Sequence, residues 1–351
     1  MKTIIMLGAV LLCSMHARAQ TNSYTVANIV TSTQDPRMVN PWGLSRPIKS
    51  AAKENEWWVN DQVTGLSTLY DVNGTIVKLA VTIPPASGSG TGSPTGTTFD
   101  PANNNFAFAT LDGTISIWNA SATPASPGKN CAECHVTSAT IKVNNASKAA
   151  SYQGLTIAVN ATSSKLTFYA ANANGGVEAY DATTFTPVTL PAGAFTDPKI
   201  PKTYTPVNVQ SVGKFIAVAY NASAGGGAGY VDLFDTNGKL TLRFGAAQNG
   251  TFNQPWGMAV APDNFGEFSG DLLVGNTGSG WIGAYSLKTG AFERFLQSGG
   301  SHLFIPGLWG IEFGNGNSES GPTNVLYFNA GGTSQTTGVF GAVFVDSTAA
   351  N

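Results

Sequence analysis

The densest chemistry in the chain lies in five consecutive residues, Cys131-Ala132-Glu133-Cys134-His135. The C-x-x-C-H order is that of a c-type haem attachment site: two thiols bond covalently to the vinyl groups and the adjoining His135 is placed to ligate iron. The surrounding stretch, from Asn119 to Ile141, is rich in Ser, Pro, Ala and Gly and offers little apolar wall to wrap a haem. Cys131 and Cys134 also suit a local disulfide that pins a long loop, the favoured outcome in an oxidising compartment. A zinc site is weaker still, because two Cys and one His leave the fourth ligand unnamed.

A second pattern is made of carboxamides. Asn60, Asn172, Asn221, Asn276 and Asn329 each end a β-like apolar run just before a Gly-containing turn, with Asp61 beside the first and Asp112 in the matching turn of another run. On one face of a fold, these residues would ring a mouth with donors and acceptors but little charge. Such a ring suits a glycan, a neutral peptide or protein surface, or a polar small molecule. The plainer alternative is that Asn tolerates left-handed backbone and closes its own turn.

Catalytic sets are absent from the pattern. Asp61 and Asp112 are separated by a whole repeat unit and have no third partner for a cation. His135 lies in the loop and His302 beside Ser301, with no G-x-S-x-G context. Gly225-Gly226-Gly227 follows a strand-like run but opens no helix, so it is not a phosphate cradle. These features favour binding or scaffolding over catalysis.

The elements that would position these residues are repeated. NPWGLS (40–45), PTGTTFD (94–100), YQGLTIAV (152–159), TPVNVQSV (205–212), QPWGMAV (254–260) and PGLWGIEF (306–313) recur at near-even spacing. Each leads to a closing phrase such as GLSTLYD (65–71), GVEAYD (176–181) or GYVDLFD (229–235). Units of roughly fifty residues are too small to bury their own apolar faces and must stack radially. Short runs rich in Val, Ile, Thr, Tyr and Phe, broken by Gly, Asn and Asp, predict an all-β protein. In the fifth unit the predicted strands are Trp256–Ala261, Asp271–Gly275, Trp281–Tyr285 and Ala291–Leu296. Four strands per unit and six units predict a six-bladed β-propeller. Residues 24–30 are strand-like and precede the first repeat phrase, so this N-terminal strand is expected to close the ring as the outer strand of the last blade. Trp42, Trp256 and Trp309 recur at equivalent places and read as packing residues, whereas Trp57-Trp58 should face opposite ways and leave one ring exposed.

Residues 1–19 read as a cleaved export signal: Lys2, the apolar run Ile4–Leu12, and small residues Ala17 and Ala19 before Gln20. Residues 20–351 are then one propeller domain with an irregular loop at about 119–141, bound for the periplasm or the outside of the cell. Charged residues are only 11% of the 351-residue chain, with 41 glycines and a net charge of −2. That balance gives no electrostatic case for nucleic acid, and no later segment is long enough to span a membrane.

The phrases NPWGLS, WWVNDQVTGLSTLYDVNG (57–74), LPAGAFTDP (190–198), QPWGMAVAPDNFGEFSGDLLVGN (254–276) and GLWGIEFGNG (307–316) resemble an uncharacterised family of secreted bacterial β-propellers. That family is similar in layout to NHL-repeat and gluconolactonase-like propellers. The resemblance implies fold and export and brings no established reaction. Gluconolactonase-like propellers hold a divalent cation with a Glu, Asn and Asp set, and the inner-strand phrases here lack the Glu. The expectation is an exported binding or scaffolding module. A haem redox protein and a metal-dependent lactonase or hydrolase are the alternatives.

Overall fold

A computed structural model describes residues 23–48, 56–119, 137–245 and 250–346. The expected signal at 1–19 and the Cys131, Cys134 and His135 cluster lie outside the described residues. Strand β1 (Tyr24–Thr31) comes first. The first blade then runs outward through β2 (Pro41–Ser45), β3 (Trp57–Asp61), β4 (Leu66–Tyr70) and β5 (Ile76–Thr82). The second blade has β6 (Pro94–Asp100), β7 (Asn105–Thr110), β8 (Thr114–Asn119) and β9 (Thr140–Asn144). The third has β10 (Tyr152–Val159), β11 (Leu166–Asn172) and β12 (Gly176–Asp181). The fourth has β13 (Tyr204–Val212), β14 (Phe215–Ala222), β15 (Gly229–Asp235) and β16 (Leu240–Phe244). The fifth has β17 (Pro255–Val260), β18 (Leu272–Asn276), β19 (Trp281–Tyr285) and β20 (Phe292–Phe295), all within a residue or so of the predicted limits. A short hairpin, β21 (Gln297–Ser298) and β22 (Ser301–His302), precedes the sixth blade of β23 (Leu308–Phe313), β24 (Leu326–Ala330) and β25 (Val339–Val345).

The sixth blade is completed by β1, which pairs antiparallel with β25 from Tyr24↔Val345 to Thr31↔Val339. The two ends of the chain are thus knitted into one sheet, which covers the edge that β25 would otherwise expose. The four-strand expectation is corrected for one blade. The third blade has three strands, because the 182–203 connection is broken by Pro187, Pro191, Pro198 and Pro201, which cannot donate to a ladder. Only a vestige of the fourth strand remains, where Val188 N–H donates to Ala179 O; beyond it Phe195 is buried in the cluster shared with the fourth blade.

Every inner strand carries a β-bulge at the repeat phrase: near Trp42, Thr95-Gly96, Gln153, Val207, Trp256-Gly257 and Trp309-Gly310. The bulge raises local twist and turns these residues toward the axis. Glycine there is a packing requirement. A Cβ on Gly257 would stand 2.3 Å from Trp309 O, and one on Gly43 would stand 2.2 Å from Thr95 O. Both faces of each blade are covered by neighbours, which corrects the expectation for Trp57-Trp58. The rings do face opposite ways, Trp57 packing on Tyr327 and Phe340 and Trp58 on Phe106 and Trp118, but both are fully buried.

Candidate functional site

The inner strands begin, and the second strands end, on the same face of the disc, since the pairs Pro41↔Asp61, Tyr152↔Asn172 and Pro255↔Asn276 lie opposite one another. At the centre of this face the bulges bring three tryptophans together. Trp42 stacks on Trp309 with ring centroids 3.8 Å apart, and Trp256 meets Trp309 edge-on at 5.6 Å. Trp309 Nε1 donates to Asn40 Oδ1 at 3.1 Å. Beneath them the axis holds a cavity of only about 20 Å³, lined in part by Leu44, Leu155, Met258 and Ile311. That space is enough for about one water molecule. The three rings pack on one another beside this space, as the repeat phrase predicts for them.

The five asparagines do not share one register. Asn60 pairs with Gly43, and Asn329 lies opposite the Trp309-Gly310 bulge. Asn172 and Asn276 stand one residue further on, level with Asp61, and Asn221 stands one further again, opposite Thr205. A one-residue step turns a strand side chain to the other sheet face. Asn60 Nδ2 donates to Thr95 O at 3.1 Å in the next blade. Asn329 Oδ1 accepts from Gly310 N at 2.6 Å while its Nδ2 donates to Gly43 O at 2.9 Å, so one buried carboxamide joins the last blade to the first. The same service between the fourth and fifth blades comes from Asn208 of the inner strand, whose Nδ2 donates to Trp256 O at 2.7 Å.

Asn172 and Asn276 close turns instead. Asn172 Oδ1 accepts from Ser151 N and Asn174 N, and Asn276 Oδ1 accepts from Asn253 N. Asp112 receives Thr110 Oγ1 and Ala86 N. Asp61 is sealed from solvent and accepts from Thr68 Oγ1 at 2.7 Å, and burial pushes its carboxyl well above the ordinary range. These residues do not converge on a mouth. Asp61 and Asp112 also fail to fit the cation that the gluconolactonase-like resemblance implies, since one is sealed and the other is committed to a hydroxyl and a backbone N–H. Among the described residues no group of three His, Cys, Asp or Glu side chains could hold a metal.

Asn221 is the exception, because it lines an open cavity of about 300 Å³ where blades three, four and five meet. Three further carboxamides, Gln153, Asn174 and Gln254, and the hydroxyls of Thr205 and Ser223 share the wall, and no lining residue is charged. Asn221 Oδ1 is buried without a hydrogen-bond partner. Val207 belongs both to this wall and to the tryptophan cluster, so the pocket abuts that cluster. Gln153, Asn174 and Gln254 were missed in the sequence. The signal was present for two of them: Gln153 and Gln254 are polar residues within or just before the repeat phrase, at the places where inner strands reach this face.

The pocket wall is braced by a network from blade three. Glu178 Oε2 receives Tyr152 OH at 2.6 Å and Tyr180 OH, and Glu178 Oε1 receives Asn172 Nδ2 at 2.7 Å. Burial and the Glu178 carboxylate raise both tyrosines far above their usual range, so they are fixed donors. Asn172 in turn holds Ser151 and Asn174, both pocket residues.

The fold defines the class: a six-bladed β-propeller with a narrow axis and an open pocket off-axis, on the face where inner strands begin. No family model matches the chain. Two uncharacterised proteins of Acanthamoeba polyphaga mimivirus are similar to it in sequence. One is 27% identical over 341 residues, covering 91% of this chain and 83% of the relative; the other is 26% identical over 313 residues, covering 82% and 72%. Among solved structures, a protein of unknown function from Bacteroides thetaiotaomicron matches with TM-score 0.57 and 11% identity over 92% of this chain and 76% of that one. A glucose dehydrogenase matches with TM-score 0.57 and 12% identity over 92% and 99%, and a streptogramin B lyase with TM-score 0.54 and 12% identity over 92% and 98%. These likenesses establish the propeller. The relatives found by sequence are viral, so the bacterial character of the resembled family is unsupported.

Proposed function

We propose that this protein is a binding module that takes a neutral polar ligand in the pocket between blades three, four and five. The observation that carries this reading is the wall itself: four carboxamides and several hydroxyls around about 300 Å³, with no charged side chain. Pockets of this size suit small-molecule recognition, and neutral carboxamides set orientation without selecting for charge. The lyase and the dehydrogenase among the structural neighbours are enzymes by their descriptions. At 12% identity they lend this chain no residue, and its pocket holds no nucleophile–base pair. Export through residues 1–19 and a cofactor or disulfide at Cys131 and Cys134 belong to the same proposal as separate parts, and the pocket does not depend on them.

The test is a ligand-observed NMR screen of uncharged polar compounds, repeated with Ser223→Trp, which fills the pocket from its exposed rim. Hits that vanish in the variant support the reading. Hits that persist, or a library in which only ions bind, overturn it.

A further inference from the structure

We infer that the ligand of this pocket is a carbohydrate with free hydroxyl groups, a deepening that rests on the binding role proposed above. The composition of the wall excludes the main competitors one by one. A carboxylate, phosphate or ammonium ligand would be desolvated in a site with no counter-charge, which disfavours it. A flat apolar ligand needs apolar and aromatic walls, whereas here Val207 is the largest apolar side chain lining the cavity. A peptide that binds by main-chain pairing needs a free strand edge. The pocket instead opens on strand ends and turns, from the start of β13 to the β14–β15 turn.

A sugar fits on positive grounds. Each hydroxyl donates once and accepts twice, and each carboxamide offers two donors and one acceptor oxygen, so adjacent hydroxyls and carboxamides satisfy one another without proton transfer. Asn221, Gln153, Asn174 and Gln254 set four carboxamides in the wall beside the hydroxyls of Thr205 and Ser223, a density of neutral donors and acceptors that matches a ring of sugar hydroxyls. The Glu178 network holds Asn172, and through it Ser151 and Asn174, before any ligand arrives. That preorganisation reduces the ordering cost on association.

The tryptophan cluster gives a built-in reporter. Because Val207 is shared by the pocket and the cluster around Trp256, occupancy should alter indole emission without any label. The experiment uses an array of neutral and acidic oligosaccharides. Titration calorimetry and tryptophan fluorescence then follow the best neutral binder, with Gln153→Ala and Ser223→Trp as pocket variants. Unchanged melting temperatures establish that both variants fold. The expected result is binding of neutral glycans, weakened about tenfold in Gln153→Ala and abolished in Ser223→Trp. Preference for acidic glycans, or neutral binding indifferent to both variants, overturns the proposal. If the array is silent while an uncharged non-sugar compound binds and is lost in Ser223→Trp, the carbohydrate assignment falls and the binding role stands. If neither class binds, both fall together.

Discussion

Asp232 on β15 offers the most quantitative test of the electrostatics. It is 2% exposed, one of its carboxyl oxygens has no partner, and it shares a hydrogen bond with Asp197, which Arg243 already holds in an ion pair. Burial first, then the neighbouring Asp197 charge, pushes the Asp232 carboxyl up from 3.8 to about 8. In the folded protein it is therefore a proton donor to Asp197 at neutral pH. The unfolded chain loses that proton near pH 3.8 and the native state near pH 8. Unfolding between these values releases a proton, so this contribution to stability is complete below the unfolded value and is lost as pH rises through the folded one. The slope is about 1.4 kcal/mol per pH unit. Asn replaces the protonated carboxyl in shape and can donate to Asp197, but it does not titrate. Asp232→Asn should gain about 4 kcal/mol on the wild type between pH 5 and pH 8, at that slope. Asp271 and Glu312, raised to about 6 and about 7 mainly by burial, act in the same direction but are common to both proteins. Asp197 is held low by Arg243, so its loss of stability belongs to more acid pH. Urea unfolding at pH 5, 6.5 and 8 reads the difference. Parallel stability curves for the two proteins would show that Asp232 is ionised in the native state.

Asn329→Ala removes the buried hydrogen bonds to Gly310 N and Gly43 O and should cost about 2–4 kcal/mol, read as a lower urea midpoint at unchanged slope. Deleting residues 20–30 removes most of β1 and exposes the β25 edge, so the truncated protein should melt lower and aggregate; an unchanged melting temperature would count against closure by β1. Protein purified from an oxidising compartment should show no titratable thiol at Cys131 and Cys134, whereas a Soret band after expression with haem-maturation factors would assign the pair to haem.

The blade count, the closing strand and the packing role of the tryptophans were legible because each rests on a feature that repeats or on chain ends that must meet. What escaped the sequence was set by register and by neighbours in space. Asn60 and Asn172 look alike in a string, each ending an apolar run before a glycine turn. One bulge-corrected residue separates their registers, so the first bridges two blades and the second closes a turn. Trp57-Trp58 alternated as expected, but alternation exposes one ring only when one sheet face meets water, and a propeller blade covers both. The pocket was illegible for a different reason: its lining residues come from three blades, and only their shared rim makes them a set.

Asn208 separates repeat logic from contact logic most cleanly. At the bulge of the inner strand, blades one, two, three, five and six place Gly43, Gly96, Gly154, Gly257 and Gly310, while blade four places Asn208. Consensus reasoning treats Asn208→Gly as restoring the repeat, neutral or stabilising. The structure argues otherwise. Asn208 Nδ2 donates to Trp256 O at 2.7 Å in the next blade, both groups being buried, and no other donor to that oxygen accompanies it among the side-chain hydrogen bonds of the described residues. Asn60 and Asn329 do comparable work from the second strand of their blades, but Ala219 occupies the matching place in blade four and cannot substitute. Removing the carboxamide strands a buried carbonyl, costing about 1–3 kcal/mol. Glycine adds roughly 0.5–1 kcal/mol of backbone entropy within a strand. Asn208→Gly should therefore lower stability by about 1.5–4 kcal/mol while leaving Asn208→Asp, which lacks the donor, at least as unstable. A melting temperature raised or unchanged in Asn208→Gly would mean that the repeat, and not this inter-blade hydrogen bond, sets the energetics of the ring.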